Sequence, residues 1–335
     1  MDCSKALEGY LRVLGDVSEA RVPGSTEAAL RLVHALAEVL SYCGSDVPRL
    51  LPQLVGRALQ ARPGSQTVRS ILQLFLGKVL ELLASSEEGS LRNEPVGRAV
   101  AEVLKYVEGV REAIAEIGSR RVEAGDTVMT YSYSTTVLRI LERAAKRGAD
   151  FEVYVAESRP IAEGRLMASA LSRLDLKTTL VVDSAVRYVM KKVSKVFVGA
   201  EAIAANGAVV SKVGTSVVAL VAKEARVRFY VAAGLYKFSP ETVFGDLVVI
   251  EELESPELVV PQDRLGEVAL FLGRSIRTRT PLYDVTPPEY VDAVITERGL
   301  IAPQVVFYFA REFLSTQSPY VSVEKLAEEV ARLWR

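Results

Sequence analysis

The residues best suited to chemistry lie in a few short strings. Tyr131-Ser132-Tyr133-Ser134 sets hydroxyls between an apolar run at 127–130 and a helical pattern that opens at Val137. Later strings offer Ser158-Arg159-Pro160, Asp183-Ser184, Glu201, the stretch "AANGAVVSKVGT" (204–215) and "GLYKFSPET" (234–242) with Lys237. Hydroxyls and free backbone amides at a helix start, joined by Arg159, Lys212 and Lys237, suit a phosphate. Asp183 and Glu201 add carboxylates that can move protons. Each has a plainer use. Serine and threonine are preferred helix caps, so Ser132, Ser134 and Ser184 fit that role equally. Asn206-Gly207 marks a tight turn, on the plain reading a hairpin joining Ile203 to Val209. Gly214 then allows close backbone approach, and Thr215 can cap the helix that follows. In "YDVTPPEYVDAVITERG" (283–299), Thr286-Pro287-Pro288 fixes an extended turn. Asp292, Thr296 and Glu297 could meet a ligand there, or Asp284 and Glu297 could bond backbone groups and lock a C-terminal arm.

Composition excludes several chemistries. One histidine, His34, cannot supply a multi-histidine metal site, and it makes a histidine-based triad an unpromising reading. Cys3 and Cys43 lack metal-type spacing and are too few for a disulfide framework, so they read as reduced thiols of a cytoplasmic chain. Neither a Walker loop nor G-x-G-x-x-G is present. No cofactor and no metal are expected. With 41 basic and 42 acidic residues, net charge −1, nothing draws the chain generally to nucleic acid or membrane. No apolar run reaches the roughly 18 to 20 residues that span a bilayer.

These strings must be positioned by two kinds of element. Up to about residue 122 the apolar residues recur three and four apart, in 26–40, 67–84 and 95–122, so this part reads as a helical domain (1–122). "RVPGS" (21–25) and "ARPGS" (61–65) break it. Beyond, Val-rich segments at 126–130, 151–157, 178–183, 195–200, 227–233 and 246–252 alternate with helical ones. That alternation predicts a mainly parallel sheet covered on both faces over 123–335. The fold class is therefore α/β, a helical N-terminal domain followed by a Rossmann-like C-terminal one. In such a sheet, ligands bind beyond the carboxyl ends of the strands, where the strings above fall.

Taken in order, "TYSYSTTVLRILERA", "VYVAESRP", "VVDSAVRYVM", "KVFVGAEAIAANGAVVSKVGT", "YKFSPET" and "YDVTPPEYVDAVITERG" resemble one family. It contains the regulatory alpha, beta and delta subunits of translation initiation factor 2B, archaeal ribose-1,5-bisphosphate isomerase and methylthioribose-1-phosphate isomerase. "ARVPGS" and "ARPGS" look like its Arg-containing phosphate loops. The resemblance implies phosphate contacts at Arg21, Gly24, Ser25, Arg62, Ser65, Ser134, Thr135, Arg159, Asn206, Lys212 and Lys237, with a sugar phosphate or nucleotide as ligand. It also implies a homodimer, or a hexamer. The isomerases of the family use a Cys within a His-Cys pair and an Asp within Gly-Ala-Asp. Here those positions are Tyr131-Ser132 and Gly199-Ala200-Glu201. A serine hydroxyl is a poor acid–base group beside a thiol. "YSYS" with "GAE" looks instead like the initiation-factor alpha subunit. The expectation is a non-catalytic regulatory protein whose partner is the alpha subunit of initiation factor 2. The alternative is a sugar-phosphate aldose–ketose isomerase with Glu201 as base and Asp183 in support.

Overall fold

A computed structural model describes residues 2–85, 93–239, 252–253, 258–259, 278–309 and 321–334. The chain divides into two compact units. Unit 1 joins residues 1–112, 234–238 and 307–335; unit 2 joins 113–233 and 239–306.

Unit 1 is helical, as the periodicity predicts. Its helices are α1 (Cys3–Ser18), α2 (Ser25–Tyr42), α3 (Val47–Ala61) and α4 (Gln66–Ala84), together with the first part of α5 (Asn93–Ser119) and α10 (Val323–Leu333). Leu32, Leu36 and Leu40 of α2 and Ile71, Leu72, Phe75 and Leu76 of α4 are completely or almost completely buried. Burying each such side chain contributes about 1.5–3 kcal/mol, so this seam holds the unit together. α10 packs on α3 and α4. Both Pro-Gly-Ser breaks fall between helices, and Gly24 takes φ +79°, open to glycine at no steric cost.

The cysteine expectation is corrected here. Cys3 and Cys43 form a disulfide with their Cα atoms 4.6 Å apart. α1 and α2 pack together, bringing the first residue of α1 beside the residue that ends α2. Pairing across 40 residues follows from a helical hairpin, which no local spacing announces. The two cysteines therefore give no argument for a reducing compartment. No helix among the described residues is long and apolar enough to cross a membrane.

Unit 2 is built on a seven-stranded sheet. The strands of the unit are β1 (Thr127–Tyr131), β2 (Glu152–Ala156), β3 (Lys177–Val181), β4 (Lys195–Gly199), β5 (Ala202–Ala204), β6 (Val209–Lys212), β7 (Arg228–Ala232), β9 (Glu252–Leu253), β10 (Thr280–Pro281), β11 (Tyr283–Thr286), β12 (Ala293–Thr296) and β13 (Gly299–Ile301); β8 is Phe238–Ser239. Strand order is β13-β12-β7-β4-β1-β2-β3, parallel throughout except β13. α6 (Thr135–Lys146), α7 (Gly164–Ser172), α8 (Val186–Met190) and α9 (Thr215–Ala225) lie between the strands in sequence. β6 pairs antiparallel with β5 and β11 as a side sheet, so the Asn206 turn is indeed a hairpin. Two expectations shift. The segment 283–299, which reads in sequence as one strand with polar ends, holds β11, β12 and the start of β13, because the two prolines end β11 before β12 begins. Ser184 lies inside a short 3-10 turn, Asp183–Ala185, and caps nothing. The strand expected at 246–252 falls almost wholly outside the described residues.

The order reverses at β1 and β4, which are neighbours although β2 and β3 intervene in sequence. The loops after these two strands therefore flank a topological switch point, the natural crevice of an open α/β sheet. Close packing fixes the loops. At Gly164, the first residue of α7, an added Cβ would lie 1.9 Å from the Ala156 carbonyl oxygen. Gly164→Ala is expected to destabilise the chain by about 1–3 kcal/mol through overpacking, read from urea unfolding; an unchanged midpoint would contradict the close approach.

Candidate functional site

Ser132 follows β1 directly and is 4% exposed. Its backbone sits at φ +63°, a region that costs a non-glycine residue about 1–3 kcal/mol and is tolerated where the surroundings over-determine it. Tyr131, just before it, donates its hydroxyl to the Val213 carbonyl at 2.8 Å. The phenol fills the space above Gly214, where a Cβ would lie 2.1 Å from the Tyr131 oxygen, so Gly214 is required by this lock. Burial first, and the Asp183 charge second, push the Tyr131 hydroxyl well above its ordinary pKa and keep it neutral.

Ser132 Oγ donates to Glu163 Oε2 at 3.0 Å. Glu163 is 4% exposed and stands immediately before α7. The same carboxylate oxygen pairs with Lys212 Nζ, 3.1 Å away at the end of β6, as an ion pair rather than an aligned hydrogen bond. The Lys212 ammonium also lies 5.2 Å from the centre of the Tyr283 ring. Three loops thus contribute a hydroxyl, a carboxylate and an ammonium to one buried point. Glu201 lies between β4 and β5, at the other side of the switch point, and is also buried.

The other expected residues of unit 2 take plainer places. Ser134 caps α6, accepting from the Val137 amide at 3.3 Å, and Thr135 is the first residue of that helix. A Cβ on Gly199 would lie 2.6 Å from Ser134 Oγ, which shows how closely the β1 and β4 loops approach. Arg159 donates to the Leu258 carbonyl at 2.7 Å. Asp183 accepts from the amides of Ser158 and Arg159 at 2.8 and 2.6 Å, holding that loop. Asn206 accepts from the Ala208 amide within its own turn. Thr215 does not cap α9, since its hydroxyl donates back to the Lys212 carbonyl at 2.6 Å.

Asp284 caps α9 instead, taking the Gly214 amide at 2.7 Å, the Ser216 amide at 3.1 Å and the Ser216 hydroxyl at 2.7 Å. Asp284 thus bonds backbone groups, as expected, and it fills the N-terminus of α9 with a carboxylate.

In unit 1, Gly24 ends the turn before α2, and Ser25 and Thr26 open that helix, both buried. Lys237 is buried too and donates to Ser25 Oγ at 3.2 Å. Thr26 shares a hydrogen bond of 3.1 Å with the Tyr236 hydroxyl. So Gly24, Ser25 and Lys237 do come together. Arg21 does not join them: it pairs with Asp16 at 2.8 Å and with Glu19, on the exposed side of its turn. Arg62 is buried at the end of α3, and Ser65 caps α4 through the Val68 amide.

Glu163 and Tyr283 are the residues that the sequence did not single out. Glu163 hides at the head of a helical pattern, "AEGRLMASALSRL"; its only signal is a carboxylate set directly after the loop that follows β2. Among the described residues no cluster of three or more His, Cys, Asp or Glu is fit to hold a metal.

A mainly parallel sheet with hydroxyl, carboxylate and ammonium groups gathered near its switch point places the chain in the open α/β class. A model of the initiation factor 2 subunit family matches residues 21–303, and the chain belongs to that family. It is 42% identical over 241 residues to a protein of Archaeoglobus fulgidus named ribose 1,5-bisphosphate isomerase, covering 72% of this chain and 73% of that one. A protein of the same name from Methanocaldococcus jannaschii is 33% identical over 306 residues, 90% of this chain and 91% of the other. Among solved structures, translation initiation factor eIF-2B of Pyrococcus horikoshii is similar with a TM-score of 0.72 at 26% identity, covering 88% of this chain and 97% of that one.

The Asp284 cap has a pH signature. Burial, the largest influence, raises its carboxyl above the ordinary 3.8, against the opposing pull of Ser216 and the Gly214 amide. The folded chain thus holds this proton more tightly than the unfolded one. The resulting stability is fully present below the ordinary value and is lost as pH rises through the raised one. Asp284→Asn removes that dependence. Urea titrations from about pH 3 to pH 7 should show the parent losing stability relative to the variant as pH rises from 3.8. Parallel curves would contradict the raised value.

Proposed function

We propose that this chain is a sugar-phosphate isomerase acting on ribose 1,5-bisphosphate or a close analogue. The observation that carries the proposal is the set at the carboxyl edge of the sheet: Glu163 Oε2 lies 3.0 Å from Ser132 Oγ and 3.1 Å from Lys212 Nζ, with Glu201 buried across the switch point. An aldose–ketose conversion needs groups that take and return protons, shielded from water, and a cation for phosphate or developing negative charge. The names of relatives matched over most of their length support the same reading. In this proposal Lys212 and Arg159 serve the phosphosugar in unit 2, with Ser134 and Thr135 at the head of α6. The homodimer implied by the family resemblance belongs to the proposal and is open to light scattering.

A regulatory, non-catalytic role is the second reading, and one observation favours it. Ser132 and Glu201 stand where the isomerases, by resemblance, carry a thiol and a shorter acid. That reading requires binding to the alpha subunit of initiation factor 2.

Incubation with ribose 1,5-bisphosphate is expected to give ribulose 1,5-bisphosphate, followed by phosphorus NMR beside an active relative. No turnover above the blank, together with calorimetric binding of the initiation factor 2 alpha subunit, would replace the first reading with the second.

A further inference from the structure

We infer that Glu163 is a positioning residue that makes Ser132 competent for proton transfer, so that a Ser132–Glu163 relay stands where a thiol would act alone. The inference rests on the isomerase reading and deepens it.

A serine hydroxyl holds its proton too tightly to accept another one unaided, because its pKa lies far above any operating pH. It becomes a carrier only when a stronger base takes its own proton in the same event, the logic of an activated hydroxyl with base and orienting group in line. Ser132 has such a base. Its Oγ donates to Glu163 Oε2 at 3.0 Å, and Lys212 orients that oxygen from 3.1 Å. The two partners of the hydrogen bond are each 4% exposed, so water does not compete with the relay. Both are held from behind. Ser132 sits at φ +63°, and Glu163 is fixed by Gly164 against the Ala156 carbonyl. The plainer explanation is that Glu163 only neutralises a buried Lys212. It leaves unexplained why the hydrogen bond goes to the one residue of the β1 loop in a left-handed conformation.

The chemistry of the substrate sets the steps. Ribose 1,5-bisphosphate must open its C1–O4 bond, and O4 takes a proton delivered through Glu201. The proton on C2 passes to Ser132 Oγ as the hydroxyl proton of Ser132 passes to Glu163. The C–H electron pair becomes the C1=C2 bond of an enediol 1-phosphate. The relay then runs backward and delivers a proton to C1, while the C2 hydroxyl returns its proton to Glu201. C2 becomes the ketone, and every protein group regains its starting state.

The test is a double-mutant cycle on the purified chain with ribose 1,5-bisphosphate. Glu163→Gln should lower kcat by about a hundredfold or more, the usual worth of acid–base catalysis, with KM changed less than about threefold. Glu163→Asp should recover part of the loss. Ser132→Ala should lose as much as Glu163→Gln, and the two together no more than either alone. In the Ser132→Cys background the thiol ionises without help, so Glu163→Gln should then cost less than about tenfold. Equal cost in the serine and cysteine backgrounds, or a change confined to KM, would overturn the relay while leaving the isomerase reading intact. No turnover by the unmodified chain would overturn the isomerase reading and the relay with it. Thermal midpoints of each variant separate these effects from unfolding, and Ser132→Ala carries the test should Glu163→Gln not fold.

Discussion

A backbone amide just past the end of a strand or at the start of a helix has no partner in the regular ladder. Burying it unpaired costs about 1–3 kcal/mol. Unit 2 meets this constraint with aspartates. Asp284 takes the amides that open α9, and Asp183 takes two successive amides after β2. Asp292 takes the Phe229 amide at 2.8 Å and ties β7 to the approach to β12. Asp126 takes the Glu123 amide, the Ser194 hydroxyl and the Lys195 ammonium ahead of β1. Burial, the largest influence on Asp126, opposes its charge, yet these three partners together hold its carboxyl below the usual range. The backbone beside Arg159 and Lys212 is therefore set by carboxylates that accept from main-chain amides.

That division of labour separates two kinds of acid. Both oxygens of Asp183 accept from backbone amides, and they hold the loop after β2. Glu163 has no amide to hold. Its carboxylate meets a hydroxyl and an ammonium, both side chains, at the one place where the sheet order reverses. The two acids differ in what their oxygens touch: amides for Asp183, side chains for Glu163.

The same difference explains what could be read in the sequence. Val-rich segments and helical stripes announced β1, β2, β4 and β7 and the helices between them, because period and composition are local. Ser134 at the head of α6 and the Asn206 turn were legible for the same reason. The Cys3–Cys43 bridge, the Asp284 cap and the Ser132–Glu163 bond join residues 40, 68 to 70 and 31 positions apart. Such pairs exist only once the layers have packed, and no spacing rule reaches them. Resemblance to a family brought Ser132 and Glu201 into view as departures, but it could not show that Ser132 bonds Glu163.

Unit 1 has one further property, set by the path of the chain. α3 and α4 bury part of their apolar surface under α10, through Leu326, Ala327 and Val330, nearly three hundred residues after α3 begins. During synthesis that face has no cover until α10 has left the ribosome. The early helices must wait with apolar surface in water, a state open to misassociation. In this unit a helix made late covers helices made early, and the docking of α10 is a closing step.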